Sequence, residues 1–131
     1  MAVLMSARTG QRIAEAVDVA VTRSARRRGL LGRASLDPSA GLMLAGCSMI
    51  HTAFMQFPID VIFVDRAGQV TRIVRRLGKW RAAASLRASA TIELAAGALD
   101  ACDVVPGDRL YFEGVAGVEG AAAGAAGFAF R

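Results

Sequence analysis

The feature that most constrains the fold is a pair of apolar segments joined by a short turn in the middle of the chain. Residues 59–64 form a dense run of apolar and β-branched side chains, and residues 69–77 follow with a second such segment. Between them, Asp65-Arg66-Ala67-Gly68 is typical of a hairpin turn. The sequence therefore predicts a β-hairpin at the centre of the fold.

Other short apolar blocks are separated by Gly, Pro and Asp, which indicates many short elements. Period-two patterning from Ile13 to Val21 predicts a strand whose odd-numbered side chains, including Val17 and Val19, are covered. Further strands are expected at residues 41–44, 91–94 and 109–112. One short helix is expected to begin at a cap at Thr22 or Ser24 and to end near Gly32. A second short helix is expected at residues 97–103, and a surface loop at residues 78–89.

The length of 131 residues suits one domain. We predict a mainly β, barrel-like or sandwich-like domain with short helices over residues 1–114, followed by a frayed Gly- and Ala-rich tail at 115–131. No apolar stretch reaches the ~20 residues of a membrane-spanning helix, so we expect no span. Residues 1–10 do not resemble a signal peptide; we expect a cytoplasmic protein if Met1 is the native start, and an exported one if a signal peptide has been removed.

The charge is distributed unevenly along the chain. Residues 1–90 carry a net charge of +9 and residues 91–131 carry −4. A basic stretch attracts nucleic acid or acidic ligands, and Arg26-Arg27-Arg28 is its densest part. We do not favour nucleic acid as the partner, because Lys79 is the only lysine and the chain has only eight aromatic residues for stacking on bases.

Cys47 and His51 are the one pair suited to nucleophilic or metal chemistry, because a thiolate needs a base or a metal beside it at neutral pH. Four residues apart, they are neighbours on a helix but ~13 Å apart on a strand. The alternatives are a reactive Cys47 thiol and a buried structural one. No metal site is predicted, because one His and two Cys lack metal-site spacing. Cys47 and Cys102 are expected to be free, although one bridge between them stays open.

Two acidic residues interrupt apolar strands. Asp60 and Glu93 each lie between apolar neighbours, so we expect each carboxylate to pair with an arginine or to accept backbone N–H bonds. Alternatively, both could line one cleft with His51 and Arg81. Trp80 would then either close that cleft or cover the core. His51 itself is either a hydrogen-bonded structural residue or a functional one that titrates near neutrality.

From about Arg23 to Phe112 the chain resembles an uncharacterised bacterial and archaeal family, the domain of unknown function 192. The resemblance rests on the order and spacing of the blocks at residues 28–36, 41–44, 47–55, 57–65, 79–81, 93–97 and 107–108. It implies a small β-barrel-like domain with no established activity, some of whose relatives are exported. Lys79 and Ala53 depart from the family, in which a proline and an aromatic residue are common at these positions.

The hypothesis we favour is a non-enzymatic domain that binds a small ligand or a protein segment in a cleft near His51. The candidate ligand-binding residues are His51, Thr52, Asp60, Trp80, Arg81 and Glu93. One alternative is a hydrolase or transferase that uses Cys47 or Asp60 with His51 as base, and another is a basic surface that binds nucleic acid. No cofactor is expected, and the chain is expected to be a monomer or a weak dimer.

Overall fold

The computed structural model describes residues 2–22 and 29–113. Within these ranges the chain forms nine β-strands and one short 3₁₀ helix, so the predicted mainly β class is confirmed. The elements are β1 Ala2–Ser6, β2 Arg12–Ala20, β3 Ala40–Ala45, β4 Met49–His51, β5 Ile59–Val64, β6 Val70–Leu77, β7 Ala82–Ala84, β8 Ala90–Ala95, the 3₁₀ helix Ala98–Ala101 and β9 Leu110–Glu113.

Seven of the strands form one sheet in the order β6-β5-β8-β3-β2-β1-β9, and β4 pairs with β7 in a second, two-stranded sheet. Neighbouring strands run antiparallel except β2 and β3, which run parallel. The large sheet curls into a half-barrel. Its two edges approach each other where Gln69 pairs with Arg109, so the barrel-like alternative describes the fold.

The central strands β5 and β8 are buried along their whole length. Because side chains on a strand alternate between its two faces, each strand contributes to two apolar cores. Ile62 and Ile92 belong to the first core, on one face, whereas Val61 and Phe63 belong to the second core, on the other. Burying a side chain as large as Phe63 stabilises the fold by ~1.5–3 kcal/mol. Polar groups on these two strands have little access to water.

Asp60 lies on the first-core face of β5 and is fully buried. Its Oδ1 accepts a hydrogen bond from the backbone N–H of Arg76 at 2.8 Å, at a bulge in β6 where Arg76 has a φ of 51°. Its Oδ2 accepts N–H bonds from Gly97 at 3.1 Å and Leu99 at 3.0 Å, at the start of the 3₁₀ helix. The prediction that Asp60 accepts backbone N–H bonds is confirmed, and its carboxylate joins three segments of the chain.

Several predicted elements agree with the structure. The central hairpin is present as β5 and β6, and the strands expected at 41–44, 91–94 and 109–112 are β3, β8 and β9. The helix expected at 97–103 is the 3₁₀ helix, shortened to four residues. Cys47 and Cys102 are both free thiols. They are half-buried.

Other predictions were wrong, or concern residues that lie partly outside the described ranges. Val19 and Val21 are exposed rather than covered, because β1 pairs with β2 only as far as Val17. The segment expected to be a loop at 78–89 contains β7, which is held by pairing with β4. Of the helix expected up to Gly32, residues 29–32 form a turn; its remaining residues 23–28 and the tail at 115–131 lie outside the described residues.

Replacing Asp60 by alanine should lower the free energy of unfolding by about 3 kcal/mol or more, because three backbone N–H groups, one of them buried, would lose their acceptor. Urea unfolding measures this loss. Asp18→Ala is the matched control, since Asp18 is exposed on β2, and its effect should stay within about 0.5 kcal/mol. Equal losses in the two variants would show that the Asp60 hydrogen bonds do not hold the three segments together.

Candidate functional site

A pocket of about 150 Å³ lies on the second-core face of the large sheet. We call it the Glu93 pocket. Its walls come from the turn at residues 29–32, from β3, β4 and β8, and from the loop segments that flank β4. It is lined by the apolar side chains of Leu30, Leu31, Leu44, Met49, Ile50 and Met55, by Gly29, and by the polar side chains of Cys47, His51 and Glu93. His51 and Met49 are exposed and mark its mouth.

Glu93 marks the buried end of the pocket, with 3% of its surface exposed. On β8 it is paired with Leu42 of β3 and Val61 of β5, so apolar side chains flank it on both sides. Among the described residues, its Oε1 is the one buried side-chain nitrogen or oxygen atom without a hydrogen-bond partner. At Oε1, the prediction that Glu93 pairs with an arginine or accepts backbone bonds was therefore wrong.

Burial raises the pKa of Glu93 from 4.5 to about 7. The cause is desolvation, because an apolar surrounding disfavours the charged form of a carboxyl group. Near neutral pH the group is therefore divided between its neutral and ionised forms. A carboxyl group with such a pKa in a cleft is a candidate functional group, able to donate a hydrogen bond when protonated and to pair with a cation when ionised.

Cys47 and His51 line the same pocket, but neither hydrogen bonds to the other in the structure. The Cys47 thiol donates to the carbonyl oxygen of Met49 at 3.3 Å, and Nδ1 of His51 accepts the N–H of Ala53 at 3.3 Å. In the described part of the chain, no three His, Cys, Asp or Glu side chains lie close enough to hold a metal ion. The arrangement at the mouth is thus polar but is not an assembled nucleophile and base.

Thr52, Trp80 and Arg81 form a separate structure beside the pocket. The hydroxyl of Thr52, fully buried, donates to the carbonyl oxygen of Gly78 at 2.6 Å and accepts the N–H of Arg81 at 2.8 Å. Backbone bonds from Thr52 to Arg81 and from Trp80 to Thr52 reinforce this contact. Thr52 therefore connects the segment after β4 to the segment before β7, and Arg81 contributes through its backbone while its side chain is exposed.

Trp80 neither closes the Glu93 pocket nor covers the core. Its ring is 63% exposed and packs edge-to-face on Phe54, with ring centroids 4.6 Å apart. Both residues have left-handed backbone conformations, with φ of 60° for Trp80 and 65° for Phe54. Such values are rare for bulky residues, and here the hydrogen bonds of Thr52 hold the two segments in place. The Phe54 partner was not foreseen from the sequence.

The structure thus divides the residues that the sequence placed in one cleft. It brings Cys47, His51 and Glu93 together, it places Thr52, Trp80 and Arg81 in the neighbouring contact, and it places Asp60 on the opposite face of the sheet. The apolar walls were missed, because Leu30 and Leu31 come from a turn that had been predicted as a helix and Ile50 comes from the unpredicted strand β4.

Comparison with known proteins identifies the family to which the chain belongs. A family model matches residues 4–112, which is most of the chain and includes every residue of the Glu93 pocket. The chain belongs to the domain of unknown function 192, described as uncharacterized ACR. The resemblance drawn from the sequence blocks is confirmed, and the match begins on β1, well before Arg23. No curated protein matches this member of the family.

Two solved structures share the fold of this domain-192 protein. One is a "putative transcription regulator" from Sinorhizobium meliloti 1021, which is 26% identical with a TM-score of 0.73, the match covering 85% of this chain and 91% of that one. The other is a protein of unknown function from Novosphingobium aromaticivorans DSM 12444, 19% identical with a TM-score of 0.72 and 82% of each chain covered. In the described ranges, no helix has the length and apolar character needed to cross a membrane.

The raised pKa of Glu93 predicts how stability depends on pH. Between pH 4.5 and about 7 the folded state holds a proton at Glu93 that the unfolded state has released. The contribution of Glu93 to the free energy of unfolding is therefore complete below pH 4.5 and is lost as the pH rises to 7. The loss amounts to about 3 kcal/mol. In Glu93→Gln it should be absent, so the variant should gain stability relative to wild type across this window.

Urea unfolding of both proteins from pH 4.5 to 8 measures the difference, in which the contributions of the other acidic groups cancel. Glu113→Gln, an exposed change on β9, is the control and should follow the wild-type profile. Parallel profiles for wild type and Glu93→Gln would contradict the raised pKa of the buried Glu93 carboxyl group.

Proposed function

We propose that this protein is a non-enzymatic binding domain that holds a small, largely apolar molecule in the Glu93 pocket. The observation that carries the proposal is the Glu93 carboxyl group, which is buried at the end of a pocket with Oε1 unpartnered. An isolated buried polar group destabilises the folded state unless something bonds to it. A ligand that reaches the buried end of the pocket would supply that bond.

The size of the pocket sets the size of the ligand. Apolar cavities of ~150 Å³ accept a molecule as large as benzene, and the Glu93 pocket has about this volume. Because its mouth is open at His51 and Met49, a larger molecule could insert one apolar end and leave the remainder outside. Two clefts of about 420 and 410 Å³ elsewhere on the surface are larger, but neither contains a buried polar atom without a partner among the described residues.

The contacts of Cys47 and Asp60 support the enzyme alternative less well. The Cys47 thiol is directed to a backbone carbonyl, and both carboxylate oxygens of Asp60 are bonded to backbone N–H groups within the fold. Neither residue is paired with His51 as a nucleophile or acid would be with its base. Binding without catalysis is therefore the simpler use of this arrangement.

Binding to nucleic acid also receives less support, although the similar structure from Sinorhizobium meliloti is described as a "putative transcription regulator". Two of the arginines in the described part of the chain are engaged with acidic side chains. Arg8 pairs with Asp103 and Asp108, and Arg76 pairs with Asp100. These pairs reduce the positive charge available for contact with phosphates.

The two free cysteines provide a test of occupancy. Cys47 lines the Glu93 pocket, whereas Cys102 lines a different cleft. A neutral apolar compound of benzene's size should slow alkylation of Cys47 by iodoacetamide by about threefold or more at saturation, because it covers the thiol, and should leave Cys102 unchanged. Peptide mass spectrometry reads both rates in one sample.

Two leucine-to-tryptophan variants control this experiment. Leu31→Trp fills the pocket from its half-buried wall position and should abolish the protection, whereas Leu86→Trp changes a side chain that is 97% exposed and should preserve it. Equal protection of Cys47 and Cys102, or protection that survives Leu31→Trp, would count against binding in this pocket. So would a complete lack of protection by every compound in a panel of such size.

A further inference from the structure

The Glu93 pocket has one chemical character on its walls and another at its buried end. The walls are apolar, and the buried end presents a single carboxyl group. The elements that surround the pocket contribute three titratable side chains to its lining: Cys47 from the loop after β3, His51 from β4 and Glu93 from β8. Asp60 of the adjacent β5 points to the other core. No arginine or lysine lines the pocket among the described residues.

Resting on the function proposed above, we infer that the pocket selects a small primary amine, with the ammonium group on the Glu93 carboxylate and the hydrocarbon part against the leucine, isoleucine and methionine walls. An ammonium group brings both a positive charge and three hydrogen-bond donors. Hydrogen bonds between ionised partners are roughly twice as strong as neutral ones. The ligand therefore satisfies Oε1 and neutralises the buried charge in a single contact.

The other ligand classes fit this pocket less well. An anion would be placed against a carboxyl group, and none of the described residues that line the pocket is an arginine or lysine that could compensate it. A neutral alcohol can donate to Oε1 but leaves the charge of the ionised form without a partner. A hydrocarbon gains the apolar contacts alone. The order of affinity expected at a pH where Glu93 is ionised is amine, then alcohol, then carboxylate.

Proton uptake by Glu93 gives this selectivity a pH dependence. Simple alkylamines, like lysine, stay charged well above neutral pH, so between pH 5.5 and 8 the change comes from the protein. The carboxylate that attracts the ammonium group is present above the raised pKa of about 7 and is progressively protonated below it. Affinity for an amine should therefore weaken as the pH falls, whereas affinity for a neutral alcohol should change much less.

The experiment compares three compounds of similar shape by titration of the ¹⁵N-labelled full chain: isobutylamine, isobutanol and isobutyrate. At pH 8 we expect isobutylamine to bind about tenfold or more tightly than isobutanol, with shifts at Leu31, Ile50 and Glu93, and isobutyrate to bind most weakly. Between pH 8 and 5.5 the amine affinity should fall by about tenfold or more. In Glu93→Gln the amine should lose its advantage while isobutanol still binds, and in the control Glu113→Gln both affinities should stay as in wild type.

Isobutanol binding at the pocket with equal or weaker binding of isobutylamine would overturn the selection of amines and leave the binding function standing. Failure of all three compounds to shift any pocket residue would overturn both. If Glu93→Gln does not fold, the wild-type pH profile decides alone. An amine affinity that stays constant from pH 5.5 to 8 would then overturn the assignment of the ammonium group to Glu93.

Discussion

The central strands β5 and β8 are covered on both faces, and most features of the domain follow from this constraint. All six residues of each strand are buried, so a polar side chain on either strand must find its partner inside the protein or remain without one. Each strand carries one carboxyl group. Asp60 on β5 belongs to the first-core face and Glu93 on β8 belongs to the second-core face.

The two carboxyl groups meet this constraint in opposite ways. Asp60 receives three backbone N–H bonds, from the bulge in β6 and from the start of the 3₁₀ helix, and so links three segments of the fold. Glu93 lies between Leu42 and Val61, and its Oε1 has no partner. The bonds of Asp60 stabilise the domain, whereas the buried carboxyl group of Glu93 destabilises it at neutral pH, and its Oε1 is available to a molecule that enters the pocket.

The sequence was informative about the strands with strong patterns and uninformative about what lies beside them. The hairpin at residues 59–77 could be predicted because two apolar segments flank a turn of suitable composition. The short strands β4 and β7 could not, because three residues are too few to show a period and their pairing joins distant segments. The Glu93 pocket depends on that pairing, since Ile50 and His51 line it from β4.

Asp60 and Glu93 show the same limit at the level of single residues. Each is an acidic residue between two apolar neighbours, and from the sequence alone the same kind of partner is expected for both. The backbone donors are at the bulge at Arg76 and in the 3₁₀ helix, and the side chain of Asp60 faces them from β5. The side chain of Glu93 lies on the other face of the sheet, on β8. That is a property of register and tertiary packing, and it separates a structural carboxylate from a candidate functional one.

The central claim is that the Glu93 carboxyl group is buried with its Oε1 unpartnered and changes its charge near neutral pH. A ¹³C NMR titration of the glutamate side-chain carboxyl carbons in the folded protein tests it most directly, because the three other glutamates of the chain provide references in the same spectrum. We predict a midpoint for Glu93 of about 7. A midpoint near the ordinary value of 4.5 would contradict the account and leave the pocket without its defining group.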